Sequence, residues 1–341
     1  MMWLPDGTMD RLCRVADVPD LSGTRYDLIQ KLGRGGMASV YLARDRVLGR
    51  EVALKLMNDA APDPDADWRT AQEARIIAGL EHPGIVPIHD MGVLPDGRTF
   101  YAMKRVQGTG LDAFASAGRD VATLLGIFQK VCEAVAFAHA RGVLHRDLKP
   151  QNVMVGSFGE VLVMDWGIAK LLKHPPVQPT SDGQQTPSLE RVSGATEHGA
   201  VMGTPGYMAP EQARGNSAAV DERADVYALG GILEFMLARA SPAAGQQDRS
   251  EAQRGAFPRS VRRELRAICL KSRASDPNDR YATVEELAAD IANFVAGRRV
   301  RAYREGILGP IRRAAWNYRT PIVLVAAYLL MRILLLAWAR T

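Results

Sequence analysis

Thiols are few in this chain, and an export signal, internal repeats and a widely spread charge excess are what it lacks. Three cysteines, Cys13, Cys132 and Cys269, stand far apart with no CxxC pair. That pattern excludes a disulfide framework and a thiolate metal site, and it suits reduced thiols in a cytosolic domain. The first twenty residues carry Asp6 and Asp10 and no apolar core of about 7 to 15 residues, so no secretory signal is expected and the bulk of the chain should stay on the side of synthesis. No repeat is visible. The net charge of +5 invites a nucleic-acid reading, but residues 298–319 alone hold seven Arg against Glu305, a local +6 that leaves the remainder near −1. Basicity is thus one short feature near the C-terminus, and no nucleic-acid motif accompanies it. With 47% apolar and 24% charged residues, the 341-residue chain can bury one large domain plus appendages.

What is present is concentrated chemistry. His145-Arg146-Asp147-Leu148-Lys149-Pro150-Gln151-Asn152 is followed by Asp165-Trp166-Gly167. This packs a base, a charge clamp and two oxygen ligands for a metal into a short stretch, as phosphoryl transfer requires. Asp147 can accept the proton of an attacking hydroxyl, Lys149 can neutralise charge on the transferred group, and Asn152 and Asp165 can hold Mg²⁺, or Mn²⁺ in its place. The ordered series Gly33-x-Gly35, Val52-Ala53-Leu54-Lys55, Glu73, the octet, Asp165-Trp166-Gly167, Ala209-Pro210-Glu211, Asp225 and Arg280 resembles the protein kinase superfamily, most closely the bacterial Ser/Thr kinases of eukaryotic type.

The resemblance covers residues 26–296 and implies an α+β, two-lobed fold: a small antiparallel β lobe (26–106) with one helix, and a larger, mostly helical lobe (107–296). Residues 1–25 are then an N-terminal extension, 165–211 the activation segment and 297–320 a basic juxtamembrane stretch. In the small lobe it places Leu32, Gly33, Gly35, Gly36 and Val40 over the nucleotide, with Ala38 where the third glycine of the pattern would stand. It places Ala53 and Lys55 at the base and α/β-phosphates. Glu73, on an expected helix from 67 to 80, aligns Lys55, while Met103 stands as gatekeeper ahead of backbone contacts at Lys104 and Val106. Strands are expected at 26–32 and 100–106.

In the large lobe, apolar positions at spacings of three and four predict a buried helix over 121–141, stopped by Gly142. His139 is expected in the core, and His145 as a brace. Lys149 and the Gly203-Thr204-Pro205 platform mark the Ser/Thr form of the site, with Thr204 orienting Asp147 and Lys149. Glu211 should pair with Arg280, and Asp225 should anchor the catalytic loop. Trp166 stands where the family usually has Phe. Arg146 implies an activation loop ordered by phosphorylation, with Thr180, Ser181, Thr186, Ser188, Ser193 and Thr196 as candidate acceptors; the same Pro/Ser/Thr composition also suits plain disorder. Thr283-x-x-Glu286 reads as a capping box.

Pro321 to Ala339 is nearly all apolar, and 19 residues at 1.5 Å each reach about 28 Å, close to a bilayer's hydrocarbon core. Arg332 interrupts it. Ten Leu, Ile and Val residues still favour insertion, and seven upstream Arg orient the kinase region to the cytoplasm at the inner membrane. An interfacial helix or a buried soluble helix are the alternatives. With two residues beyond 339, no sensor domain is expected past this segment.

The sequence therefore predicts a membrane-tethered kinase using ATP and Mg²⁺ on protein Ser/Thr hydroxyls. Protein substrates, a homodimer for trans-autophosphorylation and no nucleic-acid partner complete the expectation. The rival reading is a pseudokinase scaffold that binds ATP without transfer.

Overall fold

The computed structural model describes residues 18–35, 38–57, 71, 74–166, 206–214, 220–240, 263–303, 328 and 331–332. Alternating patterns along the first hundred residues form a five-stranded antiparallel sheet of order β1-β2-β3-β5-β4. Its strands are β1 (Tyr26–Arg34), β2 (Ala38–Asp45), β3 (Arg50–Met57), β4 (Ile88–Val93) and β5 (Thr99–Lys104). Because successive strand side chains point to opposite faces, β3 serves two cores. Val52, Leu54 and Leu56 pack with Phe100, Ala102 and Tyr41 on one face. Ala53 faces the other, with Tyr101 and Met103.

The strand expected at 26–32 runs on to Arg34, with a register shift between Lys31 and Gly33. The strand expected at 100–106 instead covers 99–104. Residues 18–25 are more than an extension: Leu21 packs on the sheet core, and the Arg46 guanidinium donates to the Thr24 carbonyl at 2.6 Å. Of the helix expected over 67–80, residues 74–78 are helical; most of the rest, Glu73 included, lies outside the described residues.

The larger lobe begins with β6 (Gly108–Gly110) and α1 (Leu111–Ser116), followed by α2 (Val121–His139). Asp120 caps α2 by accepting from the Thr123 N–H. The helix ends two residues earlier than its periodicity suggests. The Arg141 and Gly142 N–H groups turn back to Ala138 and His139, and Gly142 takes a φ of 74°. Strands β7 (Val153–Gly156) and β8 (Val161–Val163) complete a small sheet with β6. Then come α3 (Pro210–Ala213), α4 (Glu222–Arg239), α5 (Arg263–Ser272) and α6 (Val284–Val295). The apolar faces of α2, α4, α5 and α6 meet in one core around Phe128, Val131, Leu229, Ile232, Leu265, Leu287 and Ile291.

At α6 the Thr283 hydroxyl accepts from the Glu286 N–H, and the Glu286 carboxylate reaches Ala282 N–H, one residue before the cap, at 3.0 Å. Packing continues past the expected boundary at 296: Val300 is buried in this core and Ala302 and Tyr303 lie against it.

Among the described residues, α2 is the helix long and apolar enough to cross a bilayer, but its face is the lobe's core, from Leu124 to His139. Of the segment 321–339, only Tyr328, Met331 and Arg332 are described, all helical and exposed.

Candidate active site

The site is built around a buried carboxylate. Asp225, on α4, accepts the His145 and Arg146 N–H groups at 2.8 Å each and the His139 ring at 2.8 Å. Burial alone would push its carboxyl up; the three donors hold it below the usual range. Burial likewise pushes His139 down, but its bond to Asp225 prevails and raises it. The grip lets Arg146 adopt a φ of 67°, which a side-chain-bearing residue takes at a cost. Asp165, at 52°, is the other non-glycine residue with positive φ among the described residues.

Burial pushes His145 down, leaving it neutral. A neutral ring has one donor and one acceptor, and both are used. Nε2 donates to the Met164 carbonyl at 3.0 Å, and Nδ1 accepts from the Asp147 N–H at 3.3 Å. His145 therefore ties Asp147 to the residue preceding Asp165.

Around Asp147, the Lys149 ammonium donates to Oδ2 at 2.7 Å. Asn152 donates to the Asp147 carbonyl at 2.8 Å and to Oδ2 at 3.3 Å. With its amide nitrogen committed there, Asn152 offers its oxygen for a cation. From the small lobe, Lys55 Nζ stands 3.4 Å from Asp165 Oδ1 and 5.6 Å from the Tyr101 ring centroid. Asn152 and Asp165 are hard oxygen donors, suited to a divalent cation of the Mg²⁺ kind.

An apolar cluster adjoins these charges. Val40, Ala53, Met103 and Val106, all expected from sequence, share one cluster with Val86, Tyr101, Ile88 and Met164. Val86 and Met164 were not foreseen; Met164's position just before the Asp165 triplet was the available signal, whereas Val86 gave none. The Lys104 N–H is spent on the Pro87 carbonyl at 3.1 Å, so a base at this edge must use other backbone atoms of 104–106. Gly33 pairs across from Val40, and the Gly35 N–H bonds the Ala38 carbonyl at 2.7 Å. Leu32 beside it is half exposed.

Trp166 is wholly buried in the main core with Ile77 from the small-lobe helix. Its indole N–H donates to the Val163 carbonyl at 3.3 Å and its ring lies 4.7 Å from that of His145. Arg280 meets Glu211 in a two-pronged pair at 2.6 and 2.8 Å. Gln212, the next residue, donates to the Arg146 carbonyl at 3.1 Å. Gly36, Glu73, Thr204 and the candidate acceptors Thr180, Ser181, Thr186, Ser188, Ser193 and Thr196 lie outside the described residues.

Two lobes that bring together a lysine, a carboxylate beside a second lysine, two oxygen donors and an apolar cluster define a nucleotide-dependent phosphotransferase fold. The chain belongs to the protein kinase domain family, which matches residues 26–299. It is 37% identical over 322 residues to the serine/threonine-protein kinase PknD of Chlamydia caviae, covering 88% of this chain and 34% of that protein. The PknD of Protochlamydia amoebophila is 34% identical over 299 residues, covering 80% and 30%. The chain thus spans about a third of the length of the curated relatives it matches. The crystal structure of the Mycobacterium tuberculosis PknI kinase domain aligns with a TM-score of 0.53 at 26% identity, covering 79% of this chain and 95% of that one.

Proposed function

We propose that the chain is a Ser/Thr protein kinase that transfers the γ-phosphate of ATP to protein hydroxyls. The carrying observation is the Asp147 carboxylate, held by Lys149 at 2.7 Å and Asn152 at 3.3 Å, opposite the Lys55–Asp165 contact at 3.4 Å. Bound Mg·ATP, or Mn·ATP, supplies the transferable group and a cation that neutralises its charge. Asn152 and Asp165 would hold that cation. Asp147 orients the acceptor hydroxyl and takes its proton, Lys149 balances charge between the two, and Lys55 clamps the phosphates. Positioning and electrostatics thus carry the rate. Thr204, by the resemblance, steadies Asp147 and Lys149, and Glu73 aligns Lys55.

Activation by phosphorylation within 180–204 is part of this reading. Arg146 supports it: its Nε is buried with no hydrogen-bond partner among the described residues, and burial lowers its pKa, a penalty that an incoming phosphate would relieve. Trans-transfer between two copies would supply that phosphate. The apolar run 321–339, behind a basic stretch, supports a single-pass anchor in the inner membrane with the kinase domain cytoplasmic.

The test is the full chain with Mg²⁺ and γ-labelled ATP, alone and with a generic basic protein, followed by phosphoamino-acid analysis. Label on Ser and Thr, mapping partly within 180–204, is expected. Label on Tyr alone would refute the Ser/Thr assignment. ATP binding without label would favour the scaffold.

A further inference from the structure

Past α6 the chain does not leave as a loose tether. Helix α6 ends in a two-bond turn: Gly297, at φ 66°, donates to the Phe294 carbonyl at 3.0 Å, and the Arg298 N–H reaches the Asn293 carbonyl at 2.7 Å. Val300 then plugs into the core, 2% exposed. Asp290, fully buried, fastens the two residues after it. Its carboxylate accepts the Arg301 N–H at 2.8 Å, the Ala302 N–H at 2.9 Å and the Tyr281 hydroxyl at 2.8 Å. Two of three donors on this buried carboxyl group thus come from backbone beyond the last helix.

This clasp presents Arg298, Arg299 and Arg301 to solvent. None has a carboxylate within salt-bridge distance among the described residues. We infer that residues 297–303 form a folded cationic foot that seats the large lobe on an anionic lipid surface. A flexible basic tail loses chain entropy when it binds, whereas here the backbone flanking Arg301 is already fixed by Asp290, so the ordering cost has been met in folding. Headgroup phosphates match exposed guanidinium groups, and each such charge near an anionic leaflet contributes about 1 kcal/mol, roughly fivefold in occupancy. Three together give on the order of a hundredfold. The inference does not require 321–339 to span the bilayer, and it does not depend on the catalytic reading.

The experiment maps arginine modification by a dicarbonyl reagent on the full chain, with vesicles of phosphatidylcholine alone or mixed with phosphatidylglycerol. Arg298, Arg299 and Arg301 should react on the order of ten to a hundred times more slowly in the mixed vesicles. High salt should restore their reactivity, and Arg50, exposed in the small lobe, should be unaffected. Arg301→Gln should weaken the protection of Arg298 and Arg299 about fivefold, without changing melting temperature or label transfer. Asp290→Asn, which keeps every arginine but loosens the clasp, should also weaken it. Equal reactivity in both lipids would overturn the inference, as would protection untouched by Arg301→Gln. Protection by a DNA duplex and not by anionic vesicles would overturn it in favour of a nucleic-acid surface.

Discussion

Replacing Arg280 with Met should be among the most damaging single changes outside the candidate active site. Its guanidinium is fully buried and its partner Glu211 nearly so. Beyond the two bonds to Glu211, it donates to the carbonyls of Ala274 at 2.8 Å, Arg223 at 2.9 Å and Ser275 at 3.3 Å, and it lies 4.9 Å from the Tyr227 ring. One side chain therefore ties α3, the start of α4 and the turn after α5. Methionine fills much of the volume and satisfies none of these acceptors. Leaving one half of a buried pair uncompensated costs about 3–5 kcal/mol, or a fall in melting temperature of roughly 10 °C for a domain of this size. Calorimetry on the full chain measures it, beside Glu211→Leu and the double variant, which should be less destabilised than the sum of the single changes.

The pH dependence has a definite sign. Burial pushes the Glu211 carboxyl up, but the Arg280 bonds prevail and hold it below its ordinary value. Its contribution is therefore present above the unfolded pKa, near 4.3, and fades as pH falls through the folded value. The gap between wild type and Arg280→Met should narrow below about pH 4. A loss under about 1 kcal/mol at neutral pH, the scale of an exposed pair, or strictly additive single changes, would refute the reasoning.

His139, raised by Asp225, contributes stability that is full below its unfolded pKa of about 6.5 and lost as pH rises through the folded value. His139→Gln should flatten the alkaline decline of the melting temperature. Trp166→Phe keeps the packing but removes the bond to Val163, worth about 1 kcal/mol. The metal concentration for half-maximal label transfer should rise severalfold, and an unchanged value would show that the indole N–H does not steady Asp165. Gly108→Ala would set a Cβ 2.4 Å from the Val155 carbonyl oxygen, forcing β6 off β7. A loss of about 1–3 kcal/mol and a higher KM for ATP should follow; a neutral effect would mean that the strand gives freely.

The legibility of this molecule divides by the range of the interaction. Residues whose chemistry is written locally could be read directly: Asp147, Lys149 and Asn152 lie within six positions, and their contacts are short-range. The Asp225 anchor and the Glu211–Arg280 pair span about 80 and 69 residues. They were legible through the family resemblance, since no spacing rule connects such distant positions. Contacts peculiar to this chain stayed hidden. Asp290 reads as one more acid on an amphipathic helix, and nothing in its neighbours tells that it will receive the backbone of 301 and 302. Val86 is a lone valine in a loop until the sheet folds it against Ala53. At α2 the spacing of three and four was the better guide: a run hydrophobic enough for a bilayer is the lobe's own core, as that spacing predicts.

That Asp147 is the base of a phosphotransferase can be decided by single-turnover label transfer from γ-labelled ATP, comparing wild type with Asp147→Asn. Asparagine preserves shape and can still accept from Lys149, so the ATP-induced rise in melting temperature should be unchanged. Transfer itself should slow by about 10²–10⁴-fold. Transfer at the wild-type rate in Asp147→Asn would contradict the assignment, as would no detectable transfer by wild type under conditions in which ATP is bound.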